Sequence, residues 1–114
     1  MATFSVVKLS ESTNGRQIKV VPTATAGQLV HTAHATAQDE VHLYLYNHHT
    51  ADVLVTIEFG GATSPDDLIT QTIPFASGLV KVLDGVPLTG GVTVRLFAAT
   101  ANVIMASGYV NRIA

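Results

Sequence analysis

The strongest constraint on the fold is a period-two alternation of apolar and polar residues over positions 40–59. In its first half, three aliphatic residues fall on one side of an extended chain and three ring-bearing residues fall on the other; the two sets are Val41, Leu43 and Leu45, and His42, Tyr44 and Tyr46. After a turn at 47–52, the apolar set of the second half is Val53, Val55, Ile57 and Phe59. Side chains on a strand alternate between two faces, so this spacing predicts two half-buried strands paired as an antiparallel hairpin.

Turn-forming residues divide the rest of the chain into similar short segments. We expect Asn14-Gly15 to close a hairpin, Asp84-Gly85 to form a tight turn, and residues 63–67 to form at most a short helical turn. Gly108 is expected to mark a bulge or a close approach of two strands. The pattern predicts an all-β chain, an antiparallel β-sandwich of eight or nine short strands, either jelly-roll or immunoglobulin-like, forming a single domain over residues 1–114.

The charge content is unusually low. Charged residues make up 12% of the chain, against about 25% in ordinary globular domains, while the mean hydropathy is positive, at +0.37. Either a threonine-rich surface is simply neutral, or part of the surface is covered by a partner, and the second explanation is favoured. Net charge is −2 and the basic residues are scattered, which does not favour direct nucleic-acid binding; they are Lys8, Arg16, Lys19, Lys81, Arg95 and Arg112.

The chain contains no cysteine, which excludes a disulfide scaffold and a thiolate zinc site. Residues 1–5 lack the basic start and apolar run of a secretory signal, and no apolar stretch is long enough for a membrane-spanning helix. The sequence therefore predicts a soluble protein that does not engage a membrane.

Five histidines raise the possibility of a metal site; they are His31, His34, His42, His48 and His49, with Asp39, Glu40 and Asp52 nearby. A metal ion needs three or four ligands that converge on one point. On a strand, His31 and His34 would face opposite sides, and His48 and His49 are adjacent in a turn and would diverge. We therefore expect no metal site, and histidines that face solvent or an interface, with Gln38-Asp39 forming a polar corner.

No catalytic motif is recognisable. Asp66-Asp67 could be paired carboxylates, but such a pair more often marks a turn or a helix start. The glycine pairs at 60–61 and 90–91 lack the helix and lysine of a phosphate loop, and Ser107 does not lie in a Gly-x-Ser-x-Gly motif. The sequence predicts a non-enzyme with no cofactor.

Four residues are candidates for an interface: His42, Tyr44, Tyr46 and Phe97. If the aliphatic set of 40–47 faces the core, the three ring-bearing residues face outward, and Phe97 does the same on its own strand. Tyrosine is enriched at protein interfaces because it buries a large area at low entropic cost. The alternative is that both faces of these strands are buried within the sandwich or under a loop.

Several segments of residues 40–113 resemble small β-sandwich virion proteins of tailed bacteriophages, most of all head decoration (cement) proteins. These segments are 40–47 (EVHLYLYN), 53–61 (VLVTIEFGG), 72–78 (TIPFASG), 88–91 (LTGG) with Arg95 and Ala98, and 108–113 (GYVNRI).

The resemblance implies a structural subunit that oligomerises, often as a trimer, and binds a major capsid protein or another virion protein on the assembled shell. It implies no catalytic residues, and it implies a location in the virion after synthesis in the host cytoplasm. A neck or tail component is the alternative within this class. A carbohydrate-binding or adhesive β-sandwich is the alternative from another class, and it should present a solvent-open aromatic platform.

Overall fold

The computed structural model describes residues 3–114, which form nine strands and no helix. The strands are β1 (Phe4–Lys8), β2 (Ile18–Val20), β3 (Gln28–Thr32), β4 (Gln38–Asn47), β5 (Val53–Phe59), β6 (Leu68–Ile73), β7 (Val80–Leu88), β8 (Thr93–Ala98) and β9 (Ile104–Ile113).

The strands form two antiparallel sheets. Sheet A has the order β1-β9-β4-β7, with β2 also pairing with β9, and sheet B has the order β3-β8-β5-β6. The predicted all-β sandwich is confirmed. If β1 and β2 are counted as one interrupted strand, each sheet has four strands, in the orders β1-β9-β4-β7 and β3-β8-β5-β6. This is the arrangement of a jelly roll rather than of an immunoglobulin domain.

Strands β4 and β5 alternate as predicted, but they do not pair with each other. Strand β4 lies between β9 and β7 in sheet A, whereas β5 lies between β8 and β6 in sheet B. The turn after β4 therefore crosses from one sheet to the other, and the expected hairpin is wrong. Period-two spacing indicates which side chains of a strand face the core, but it does not indicate which strand is its partner. Two strands on opposite sides of one core show the same spacing as two strands of a hairpin.

The two other predicted turns also differ from expectation. Asn14 and Gly15 have positive φ values of 54° and 82°, as in a tight turn, yet β1 and β2 both run antiparallel to β9 and so cannot form a hairpin with each other. Gly85 lies inside β7, where the partners pass from Val41↔Val86 to His42↔Asp84. Gly85 is therefore the extra residue of a β-bulge, not a turn.

The core lies between the sheets and contains the predicted aliphatic set of β4, since Val41, Leu43 and Leu45 are completely buried. Gly108 allows β9 to approach β4 closely, because its φ is 151° and a Cβ at this position would overlap the carbonyl oxygen of His42. The close approach predicted at Gly108 is confirmed.

Candidate assembly face

The outward side chains of β4 and β9 form one surface on sheet A. In the strand register His42 lies opposite Tyr109, and Tyr46 lies opposite Met105. Each of these residues is half-buried. We call this surface the aromatic face, and it comprises His42, Tyr44, Tyr46, Met105 and Tyr109.

Contacts within the aromatic face hold its rings in place. The rings of His42 and Tyr109 stack with centroids 4.5 Å apart and planes 9° from parallel. The Tyr46 hydroxyl lies 2.8 Å from His48 Nδ1, and Lys81 Nζ lies 5.4 Å from the centre of the Tyr44 ring. Rings that are already ordered lose little further conformational entropy when a partner covers them.

Lys81, Asp84 and His42 form one group of paired charges beside the aromatic face. Lys81 Nζ lies 2.7 Å from Asp84 Oδ1, and this hydrogen bond raises the pKa of Lys81 and lowers the pKa of Asp84. His42 Nδ1 lies 3.7 Å from the same carboxylate oxygen and has no hydrogen-bond partner among residues 3–114. Covering this group strands none of its charges. Lys8, opposite Tyr109, and Lys19, opposite Met105, also lie beside the aromatic face, and neither forms an ion pair among residues 3–114.

Phe97 lies on the other side of the molecule. It belongs to β8 of sheet B, where it pairs with Thr56 and points away from the core. The outer faces of the two sheets look in opposite directions, so one flat partner cannot contact Phe97 together with His42, Tyr44 and Tyr46. An interface at Phe97 stays a prediction for a separate surface.

The outer face of sheet B is partly covered by the chain itself. The carboxylate of Glu58 accepts hydrogen bonds from the Gly27 amide, at 2.6 Å, and from the Thr25 hydroxyl, at 2.9 Å. These bonds hold the β2–β3 connection against the sheet, and Glu58 and Thr56 are buried there although they point away from the core. Within residues 3–114, no comparable segment buries the outward side chains of β4 on sheet A.

A buried polar cluster that was not predicted from the sequence joins the two sheets. Asp39 of β4 accepts a bidentate pair of hydrogen bonds from Arg112 of β9, at 2.8 and 3.0 Å. The same carboxylate lies 2.8 Å from Nε2 of His31 on β3 and accepts a bond from the His34 amide. Asp39 and His31 are completely buried.

The hydrogen bonds of this cluster determine its protonation. His31 Nδ1 accepts from the Ser10 amide, so its proton is on Nε2, where it is donated to Asp39. Burial raises the pKa of Asp39, but hydrogen bonds from Arg112, His31 and the His34 amide outweigh that effect and lower it from 3.8 to about 2. The carboxylate is therefore ionised and paired. Because the imidazole and carboxylate are enclosed, the cluster is suited to holding the sheets together and not to acting on a substrate.

The expectations for His31 and Asp39 were wrong, since His31 faces neither solvent nor an interface, and Gln38-Asp39 is not a corner but the start of β4. A signal was present in the sequence. Asp39 is in phase with Val41, and Arg112 is in phase with Val110, so both fall on the core side of their strands.

The candidate residues that lie in loops make local contacts. His34 Nδ1 accepts from the amides of Thr36 and Ala37, and no group of three or more potential metal ligands occurs in the described residues. Asp67 accepts from the Thr63 amide and donates its own amide to the Thr63 carbonyl. The pair Asp66-Asp67 thus belongs to a turn, as the turn interpretation predicts.

No family model, curated protein or solved structure matches the chain. Within residues 3–114, no helix is long and apolar enough to cross a membrane. The chemistry of the surfaces and the sequence resemblance are therefore the features that bear on function.

Proposed function

We propose that the chain is a structural subunit of a tailed-phage virion, most like a capsid decoration protein, and that its aromatic face contacts the assembled shell. The observation that carries the proposal is the difference between the two outer faces. The chain covers part of sheet B with its own residues, while the ordered rings on sheet A stay accessible.

The chemistry of the aromatic face supports a protein partner. Tyrosine, methionine and stacked rings are typical of interface centres, and charged residues are depleted there. Beside Tyr44 the charge of Lys81 is paired with Asp84 at 2.7 Å. The unpaired cations Lys8 and Lys19 lie in register with Tyr109 and Met105, beyond the two tyrosines. The jelly-roll arrangement is compatible with this role, because the same architecture is used by viral capsid domains.

The double variant Tyr44→Ala with Tyr46→Ala tests the proposal. We expect it to fold cooperatively and to co-sediment with assembled particles much more weakly than the native chain, because central interface tyrosines cost at least about 1 kcal/mol each when truncated. Leu54→Ala is the matched control, since Leu54 is 49% exposed on the outer face of sheet B. Phe97→Ala tests the second predicted surface in the same assay.

The outcomes separate the alternatives. Normal binding by the folded double variant contradicts the assignment of the contact to the aromatic face. Unfolding of the double variant shows that the tyrosines are needed for stability instead. Electron microscopy of particles labelled on this chain distinguishes the shell from the neck or tail, and absence from the particle contradicts a virion role.

A further inference from the structure

The free edge of sheet A carries the most exposed large apolar side chains of the described chain. Strand β1 pairs with β9 on one side only. Its outward residues Phe4 and Val6 are 74% and 73% exposed. An open edge bearing such residues is a surface on which another strand can pair.

The backbone groups on this edge are identified by the register. Thr3 and Ala114 exchange both of their hydrogen bonds, each at 2.9 Å. Bonded and non-bonded positions alternate along an antiparallel pair, so Ser5 and Val7 also bond to β9. The N–H and C=O groups of Phe4, Val6 and Lys8 therefore point away from the sheet, and no residue from 3 to 114 supplies them with a partner.

The other three edges are less suited to pairing. Strand β7 is interrupted by two register shifts and contains Pro87. Strand β3 is interrupted by a register shift, and the β1–β2 connection bonds to its edge through Glu11 and Ser10. The fourth edge strand, β6, presents Leu68, Thr70 and Thr72 outward, and the two threonines gain little from leaving water.

We propose that two copies of the chain pair antiparallel through β1, about a two-fold axis at Val6, and so join two five-stranded sheets into one. In this register Val6 faces Val6 of the second copy, and Phe4 faces its Lys8. Each of the three edge residues exchanges both backbone bonds with its opposite number.

A second copy is the occupant that this strand fits best. The side chains of β1 on the outer face are apolar apart from Lys8. The two-fold register sets each Lys8 beside a Phe4 ring and keeps the two cations apart, so no like charges are opposed. An isologous contact also gives a closed dimer, because the β1 edges of both copies pair with each other and neither stays open to bind a further chain.

The pairing has a consequence for the aromatic face. Residues opposite each other in an antiparallel pair point to the same side of the sheet. The outer faces of the two sheets A therefore look in one direction, and the dimer presents two aromatic faces side by side. The dimer itself does not depend on the proposed virion role and can be tested on the isolated chain.

Sedimentation velocity at micromolar concentration tests the proposal. The native chain should have twice its mass of 12.0 kDa, and Val6→Pro should have the mass of a single chain. Proline at this position removes no bond to β9, because the Val6 amide points outward, and edge strands accept proline. A native monomer, a native trimer, or an unchanged Val6→Pro dimer overturns the proposal.

Cysteine cross-linking tests the register independently, and it decides the matter if Val6→Pro does not fold. The chain has no native cysteine. Two Val6→Cys residues would have Cα atoms about 5.5 Å apart, which a disulfide can span, whereas two Phe4→Cys residues would be offset by roughly 14 Å along the strand. We expect oxidation to cross-link the Val6→Cys variant with itself, and a mixture of the Phe4→Cys and Lys8→Cys variants with each other. The Phe4→Cys variant should not cross-link with itself. Efficient linking of Phe4→Cys alone, or none at Val6→Cys, overturns the register.

Discussion

Replacing Asp39 by asparagine should destabilise the protein strongly at neutral pH. The substitution keeps the shape of the side chain but removes the charge that Arg112 and His31 surround. The pKa of Asp39 is lowered from 3.8 to about 2. This change corresponds to about 2 kcal/mol of stabilisation of the folded chain, since one pKa unit is worth roughly 1.4 kcal/mol. Breaking a buried pair while leaving the cation in place costs about 3–5 kcal/mol. Because Arg112 keeps 26% of its side chain exposed, we expect about 3 kcal/mol, toward the lower end.

The pH dependence of this loss follows from the direction of the pKa shift. A carboxyl whose pKa is lower in the folded chain binds a proton more readily when the chain unfolds. Its contribution to the free energy of unfolding is present above the ordinary value of 3.8 and is lost as the pH falls through about 2. The gap between the native chain and Asp39→Asn should therefore narrow across that interval.

Urea titrations of both chains from neutral pH down to about pH 2 measure that gap. Asp84→Asn is the control, because Asp84 is also paired with a cation but its side chain is 79% exposed, and it should change the free energy of unfolding little. A gap that stays constant with pH, or that is no larger for Asp39→Asn than for Asp84→Asn, would refute the reasoning.

Two further substitutions probe the backbone approach and the second buried carboxylate. Gly108→Ala should lower the free energy of unfolding by about 3 kcal/mol or more, measured by heat or urea, because the new Cβ meets the His42 carbonyl and the backbone cannot yield. Gly15→Ala is the control: a Cβ there has no neighbour within 4 Å, so the loss should be about 1 kcal/mol. Equal losses for the two variants would contradict this reasoning. Glu58→Gln should cost about 1 kcal/mol, because its oxygen can still accept from the Gly27 amide and its NH2 can donate to the Thr25 hydroxyl, but both bonds lose the charged acceptor. Proteolysis at the β2–β3 connection should also accelerate, and unchanged protection would argue against a role of Glu58 in holding that segment.

The sequence predicted the fold class and the core side of β4 because both depend on local spacing. Val41, Leu43 and Leu45 repeat every second residue, and only one face of such a strand can be buried in a sandwich. Strand partners depend on contacts between distant segments. The segment after Asn47 has the same spacing whether it folds back beside β4 or crosses to sheet B, so the alternation could not reveal the crossing.

The prediction of a turn at Asp84-Gly85 was wrong for a related reason. An aspartate followed by glycine supplies a residue that adopts positive φ readily, and both a hairpin turn and a β-bulge require that conformation. The distinction lies in whether the chain continues in register afterwards. The strand does continue, because Val86 and Pro87 pair with β4. This pairing depends on β4, which is distant in sequence, so the Asp-Gly pair alone could not indicate it.

The buried carboxylates strengthen the inference drawn from the low charge content. Of the eight acidic residues in the chain, Asp39 and Glu58 are buried, and Asp39 is neutralised by Arg112. The exterior is therefore poorer in charge than the composition indicates. A solvated monomer has no need to place scarce charges inside, whereas a subunit whose outer faces meet other proteins avoids the desolvation penalty that surface charges would bring.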